Sequence, residues 1–203
     1  MIKKSHIFLS LLVVFSLAVL NGCAAPTTTE LTESESYFTV DACSVSGSME
    51  GGVLSMEAVY TVTNNAEEAV SEITLLTPHL EGSEMKELQL TMGDQVYPLT
   101  VKDKDVIELD AALQPGEQVE LLIQYHIDEL SMPNGGEETW RITVPTLDKS
   151  ATSTGIGEVL VEFSFDEPVT LKTSLPIGLE QESETKIVGA LGNLVNLLVL
   201  ELK

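Results

Sequence analysis

Basic residues are scarce in this chain of 203 amino acids: 10 Lys and Arg stand against 32 Asp and Glu, for a formal net charge of −22 and a pI near 4.2. Nucleic-acid binding depends on Lys and Arg neutralising phosphates, so DNA and RNA are excluded as partners. Cysteine occurs twice, at Cys23 and Cys43, and histidine three times, with His79 and His126 isolated in the body of the chain. A Cys/His zinc site is therefore not expected, and neither is any other metal or cofactor. The chain has no H-E-x-x-H, no G-x-S-x-G, no phosphate-cradling G-x-x-x-x-G-K and no dinucleotide fingerprint, so no catalytic residues are assigned.

Apolar residues make up 43 % of the chain, enough for a packed core and too many for a disordered acidic tail. The length suits one domain or two small ones. The first residues, MIKKSHIFLSLLVVFSLAVLNGC, pair a basic start at Lys3 and Lys4 with a mainly apolar run of 14 residues, Ile7–Leu20. A membrane-spanning helix needs about 20 residues and a secretory signal core about 7–15, so the run reads as a signal.

The run exits through Leu20-Asn21-Gly22-Cys23. This resembles the lipobox of bacterial prolipoproteins, in which Leu, a small residue and Gly or Ala precede an invariant Cys. Asn21 stands where that family more often has Ala, Ser or Thr. The resemblance implies cleavage between Gly22 and Cys23, removal of residues 1–22 and acylation of Cys23 as the membrane anchor. The expected location is extracytoplasmic, on a cell surface or a periplasmic face. One acyl chain holds a protein marginally, and two or three make release slow. Removing Lys3 and Lys4 with the signal takes the net charge from −22 to −24. A body that acidic is repelled by anionic lipid, so the acyl chains must do the holding.

Residues 23–36 contain AAPTTTELTESES, in which Leu31 is the single large aliphatic residue, and read as a flexible tether. With Cys23 acylated, Cys43 has no intramolecular disulfide partner. It is either a reactive thiol or a small buried hydrophobe, and no neighbouring His or Arg in sequence favours a thiolate.

From Tyr37 the pattern has a period of two. Met56, Ala58, Tyr60 and Val62 alternate with Ser55, Glu57, Val59 and Thr61; Val119, Leu121, Ile123, Tyr125 and Ile127 alternate with Glu120, Leu122, Gln124 and His126. Each stretch predicts a strand with one apolar and one mostly polar face. Gly51-Gly52, Asn64-Asn65, Gly93-Asp94 and Pro115-Gly116 mark turns. Phe38 and Val40, Ile73 and Leu75, and Leu88, Leu90 and Met92 are further inward sets, with a short strand at Val106–Leu109. The fold class is all-β: an antiparallel immunoglobulin-like β-sandwich over 37–131. A second, smaller β domain or sheet extension over 137–203 follows the Met132-Pro133-Asn134-Gly135-Gly136 boundary. In that part Trp140, Ile142 and Val144 alternate, as do Val159, Val161, Phe163 and Phe165, and alternation makes Trp140 a core residue. Val169–Leu175 and Lys186–Val188 read as strands, Thr146–Gly157 as a polar loop, and Leu194–Leu202 as a central strand or short helix.

Leu113-x-Pro115-Gly116 leading into a strand resembles the corner of fibronectin-type-III and other immunoglobulin-like sandwiches, with Val119 where those domains often carry Tyr. The wider pattern from Tyr60-x-Val62-x-Asn64 through Leu109 to Ile123-x-Tyr125 is similar to the amino-terminal β-domain of aminopeptidase N type proteins. The H-E-x-x-H of that family is absent, so its activity is not implied.

Other motifs read as surface or chance. Asp103-Lys104-Asp105 with Glu108 and Asp110 lacks calcium-loop spacing. Glu67-Glu68 and Glu137-Glu138 are adjacent pairs, which point to opposite faces of a strand. Ser83-Glu84-Met85-Lys86 and Lys172-Thr173-Ser174 match serine-enzyme elements, but no S-D-N accompanies them and the pattern around them is β. The expected function is that of a non-catalytic surface or envelope interaction module with an envelope protein partner. The alternative is a ligand- or cation-binding lipoprotein accessory to a transporter.

Overall fold

The computed structural model describes residues 38–77, 85–100, 104–128, 138–148, 152–153, 158–193 and 197–203. The signal and tether expected over 1–36, with Leu20, Asn21, Gly22 and Cys23, lie outside the described residues, as do His79, Ser83, Asp103, Glu137 and the Met132–Gly136 boundary.

The described residues form β1 (Phe38–Glu50), β2 (Val53–Asn64), β3 (Val70–Leu76), β4 (Met85–Met92), β5 (Gln95–Pro98), β6 (Asp105–Leu113) and β7 (Gln118–Ile127). There follow β8 (Glu138–Thr143), β9 (Thr146–Leu147), β10 (Thr152–Ser153), β11 (Val159–Phe165), β12 (Leu171–Leu175), β13 (Leu179–Ser183), β14 (Lys186–Leu191) and β15 (Leu197–Leu202). The described residues are all-β, as the alternation in the sequence requires. One nine-stranded sheet runs β13-β14-β11-β1-β2-β7-β4-β5, with β10 beside β1. Two three-stranded sheets, β12-β15-β8 and β6-β3-β9, share a single core with it, which gives a sandwich-like arrangement of uneven halves.

The alternating residues of β2, β7 and β11 point inward. Tyr60, Leu121, Ile123, Ile127 and Phe163 are fully buried, and Ile73 and Leu75 meet them from β3. Trp140 is a core residue, its ring 5.8 Å from that of Phe165 at a 48° tilt. Gly47 in β1 makes room for this packing: a Cβ there would stand 2.4 Å from Phe163 Cδ1. Of Leu194–Leu202, the described part is β15, the middle strand of its sheet, with Leu198, Leu200 and Leu202 fully buried.

Two departures from the sequence reading are corrections. The large sheet is not wholly antiparallel, because β1 pairs in parallel with β11, Cys43 opposite Val159 through Met49 opposite Phe165, and with β10. Strands that far apart in sequence need no hairpin and can run in one direction. The Thr146–Gly157 stretch is not simply loop either. Thr146 and Leu147 are buried and pair with Leu76 and Leu75, while Thr152 and Ser153 pair with β1. Smaller adjustments are that β6 runs on to Leu113 and that β13 pairs with β14 over residues with no alternating apolar set.

Asn64 explains two of the turn signals together. It is fully buried, and its side-chain amide donates to the carbonyls of Leu113, at 2.8 Å, and Glu68, at 3.2 Å. Its carbonyl accepts from Gly116 N–H at 2.7 Å, and its N–H donates to the Glu117 carbonyl at 2.9 Å. A buried amide is tolerated when its donors and acceptors are met, and here it ties the turn after β2 to the Leu113–Glu117 corner.

Candidate functional site

The inward face of the large sheet makes the core, and the outward face is left open among the described residues. Its register produces rows of side chains running across the strands. One row holds Glu162 on β11, Ser46 on β1, Glu57 on β2, Gln124 on β7 and Gln89 on β4. The next holds Ser164, Ser48, Ser55, His126 and Lys86 in the same strand order. Neighbouring strands stand about 4.8 Å apart, so side chains along a row touch. Gln89 Nε2 donates to Gln124 Oε1 at 3.1 Å, and Gln124 Nε2 donates to Glu57 Oε2 at 3.2 Å. These two rows, Lys86 excepted, and Glu87 line a hollow of about 390 Å³.

Glu87 enters the hollow through an irregularity. The register between β4 and β7 slips between Lys86 and Gln89, and Glu87 takes a left-handed backbone, φ 53°. A β-bulge re-aims a side chain in this way. Its carboxylate stands 3.6 Å from His126 Nε2, while His126 Nδ1 shares a hydrogen bond with Ser55 Oγ at 3.1 Å. Ser55, His126 and Glu87 thus follow one another as the groups of a nucleophile, base and orienting acid do. The backbone around them argues against that chemistry. β2 and β7 are interior strands paired on both sides, and their amides are spent on the ladder. A tetrahedral oxyanion needs preorganised free donors, which the backbone of these two strands does not offer. Glu87 is also largely exposed, so its field on His126 is screened by water.

The cations of this face are already engaged. Lys86 pairs with Asp128, and Lys186 on β14 lies 3.0 Å from Glu182 and 3.2 Å from Glu162. The hydrogen bonds to Glu182 and Glu162 raise the Lys186 pKa, so it stays charged. What the hollow offers is carboxylate and amide oxygen with a few hydroxyls, a lining suited to cationic or N–H donor groups.

The other residues singled out in the sequence fall elsewhere. Glu67 and Glu68 are exposed in the turn after β2. Lys104 pairs with Asp148 at 3.0 Å, Asp105 accepts from Thr100 Oγ1 at 2.9 Å, and Glu108 and Asp110 face outward on β6. Among the described residues, no group of three His, Cys, Asp or Glu side chains is placed to hold a metal ion. Met85 and Lys86 open β4, with Ser83 and Glu84 outside the described residues, and Lys172–Ser174 belong to β12. Cys43 is a free, buried thiol. Burial pushes its pKa up to about 12 against a smaller opposing interaction with the Tyr60 hydroxyl, so it is protonated and inert at neutral pH. The tyrosine hydroxyls were not legible in sequence: Tyr60 donates to the Pro145 carbonyl at 2.6 Å, and Tyr125 to that of Thr143. Burial raises the pKa of both phenols.

No protein-family model and no curated protein matches the chain. Solved structures similar to it include an M1 zinc metallopeptidase from Deinococcus radiodurans, with TM-score 0.46 and 18 % identity over 81 % of this chain and 42 % of that one. A two-domain M1 zinc metallopeptidase mutant bound to L-tryptophan gives TM-score 0.47 and 18 % identity over 80 % and 42 % of the respective chains. This chain spans less than half of the length of these metallopeptidases.

Proposed function

We propose that this protein is a lipid-anchored, extracytoplasmic and non-catalytic interaction module, held in a bacterial membrane by acyl chains on Cys23. Its working surface is the outward face of the large sheet, which it presents to an envelope protein partner. The observation that carries the reading is that face: polar and acidic rows cross the strands over a 390 Å³ hollow, and the Ser55–His126 contact within it sits on strands whose amides are committed to the ladder. The leader ending in Leu20-Asn21-Gly22-Cys23 supports the anchor, and the acid-rich stretch of 23–36 supports a stand-off from anionic lipid.

Membrane fractionation of the parent and of Cys23→Ser, with mass spectrometry of the first mature peptide, tests the anchor. The parent should carry acyl mass on Cys23 and sediment with membranes, and Cys23→Ser should do neither. Unacylated Cys23 in the parent would overturn it. A fluorophosphonate probe tests the absence of catalysis, and stoichiometric labelling of Ser55 would make the module an enzyme.

A further inference from the structure

Beside the hollow, the same register places an apolar row on the outward face. It runs from Val96 on β5 through Thr91 on β4, Leu122 on β7, Val59 on β2 and Ser44 on β1 to Leu160 on β11 and Ala190 on β14. Val96 and Leu160, towards its two ends, are each 56 % exposed, and Val59 and Leu122 in the middle are half-buried. A half-wet strand needs no Leu or Val on its polar side, yet four of the seven strands carry one here, with Thr91, Ser44 and Ala190 at the other positions of a row roughly 29 Å long at about 4.8 Å per strand. Leu122 and Thr91 also line a second hollow of about 540 Å³, whose other walls include Met92, Leu113 and Val119. The stripe therefore has a socket beside it large enough for a bulky side chain.

Charge selects the occupant. On either side of the stripe the outward positions carry Glu57 and Glu162, or Glu120 and Glu158, and the nearby Lys186 is already paired with Glu162 and Glu182. A second copy would bring carboxylates against carboxylates, and an anionic lipid surface would do the same. Burying the apolar row without repulsion needs a partner with cations on both sides of its own apolar strip.

We infer that the outward face of the large sheet docks a basic amphipathic segment of a protein partner, its apolar side chains on Leu122, Val59 and Leu160 and its Lys or Arg groups on the flanking glutamates. This rests on the interaction-module reading and names the partner's chemistry.

The test uses the full chain in detergent micelles and an 18-residue peptide of Leu on one face and Lys on the other, with a Leu/Glu peptide as control. Fluorescence anisotropy is compared between the parent, Leu122→Ser/Leu160→Ser and Glu57→Gln/Glu162→Gln at one micelle concentration, which cancels binding to detergent. Both apolar positions are on the outward face, and an unchanged melting temperature confirms that the variants fold. The parent should bind the Lys peptide and not the Glu peptide. The apolar double variant, with its charge intact, should bind at least about tenfold more weakly, as the loss of buried Leu side chains implies. The glutamine variant should weaken binding and flatten its salt dependence. Equal affinity of the parent and the apolar variant would reduce the effect to diffuse electrostatics and overturn the inference, as would no binding of the Lys peptide. Self-association of the parent abolished in Leu122→Ser/Leu160→Ser would overturn it in favour of a second copy. Acylation of Cys23 is measured separately, so failure of the anchor and failure of the docking face are distinguishable.

Discussion

At the scale of single residues, the protein uses side chains of modest chemistry in tightly specified places. Cys43 is the clearest case. Its thiol is buried in β1 and its pKa is pushed up from 9.0 to about 12 by desolvation. The neutral thiol is the form the fold accepts. Below the unfolded value the folded and unfolded states are both protonated, and the group adds no pH dependence. Above it the unfolded chain gives up the proton while the native chain keeps it. The unfolded state then binds fewer protons, and stability falls with rising pH until the folded value is passed. Urea melts of the parent and Cys43→Ala at pH 8, 9 and 10 check this. The parent should lose stability more steeply, with a difference in slope approaching about 1.4 kcal/mol per pH unit near pH 10. Equal slopes would show that the fold does not hold the thiol neutral. Tyr60 and Tyr125 push in the same direction at higher pH, and they are common to both proteins.

At the scale of elements, the two tyrosines join the large sheet to the chain opposite it. Tyr60 on β2 reaches the Pro145 carbonyl between β8 and β9, and Tyr125 on β7 reaches the carbonyl of Thr143 at the end of β8. Without these hydroxyls the two carbonyls would sit buried with fewer partners. Tyr60→Phe removes one oxygen and keeps the ring. It should destabilise the protein by about 1–3 kcal/mol, the cost of an unsatisfied buried group, with a near-native far-UV spectrum. A change within error would mean that water replaces the hydroxyl.

The same elements show what the sequence could tell. Period-two alternation identified β2, β7 and β11 and their inward residues, because burial of one face is a local demand written at every second position. Alternation does not name a strand's neighbour. The parallel join of β1 to β11 depends on two segments more than a hundred residues apart, and nothing local to Cys43 or Val159 announces it. β9 was missed for a different reason: Thr146 beside Pro145 has loop composition, yet two residues suffice to pair with the end of β3. The candidate site was half legible. Glu57, Gln124 and His126 stood on the predicted polar faces, and Val59 and Leu122 stood among them as apolar exceptions. Their alignment with Glu162, Gln89 and Leu160 needed the register. Glu87 needed the bulge, which no turn residue signals.

At the scale of the whole molecule, charge is the dominant unbalanced quantity. With 32 acidic and 10 basic residues in the chain, most carboxylates have no cation to meet, and the ion pairs of Lys86, Lys104 and Lys186 are surface contacts of small worth. Self-repulsion among like charges destabilises a compact state, and added salt relieves it over distances beyond the Debye length, about 10 Å at 0.1 M. Raising NaCl from 20 to 300 mM should therefore raise the melting temperature by several degrees and then level off. The interaction-module reading and the cation-binding alternative part company over calcium. The repulsion among carboxylates spread over a sheet face is screened by the mobile ions of the salt, so CaCl₂ at matched ionic strength should give a rise of the same order as NaCl. A preformed calcium site would instead add a saturable increment governed by its dissociation constant, visible at low calcium and abolished by chelator. Melts in NaCl, in CaCl₂ and in CaCl₂ with EDTA, all at one ionic strength, separate the two. Coincident curves keep the acidic face as a docking surface for cationic side chains, and a saturable, EDTA-reversible shift would make it a site for the ion.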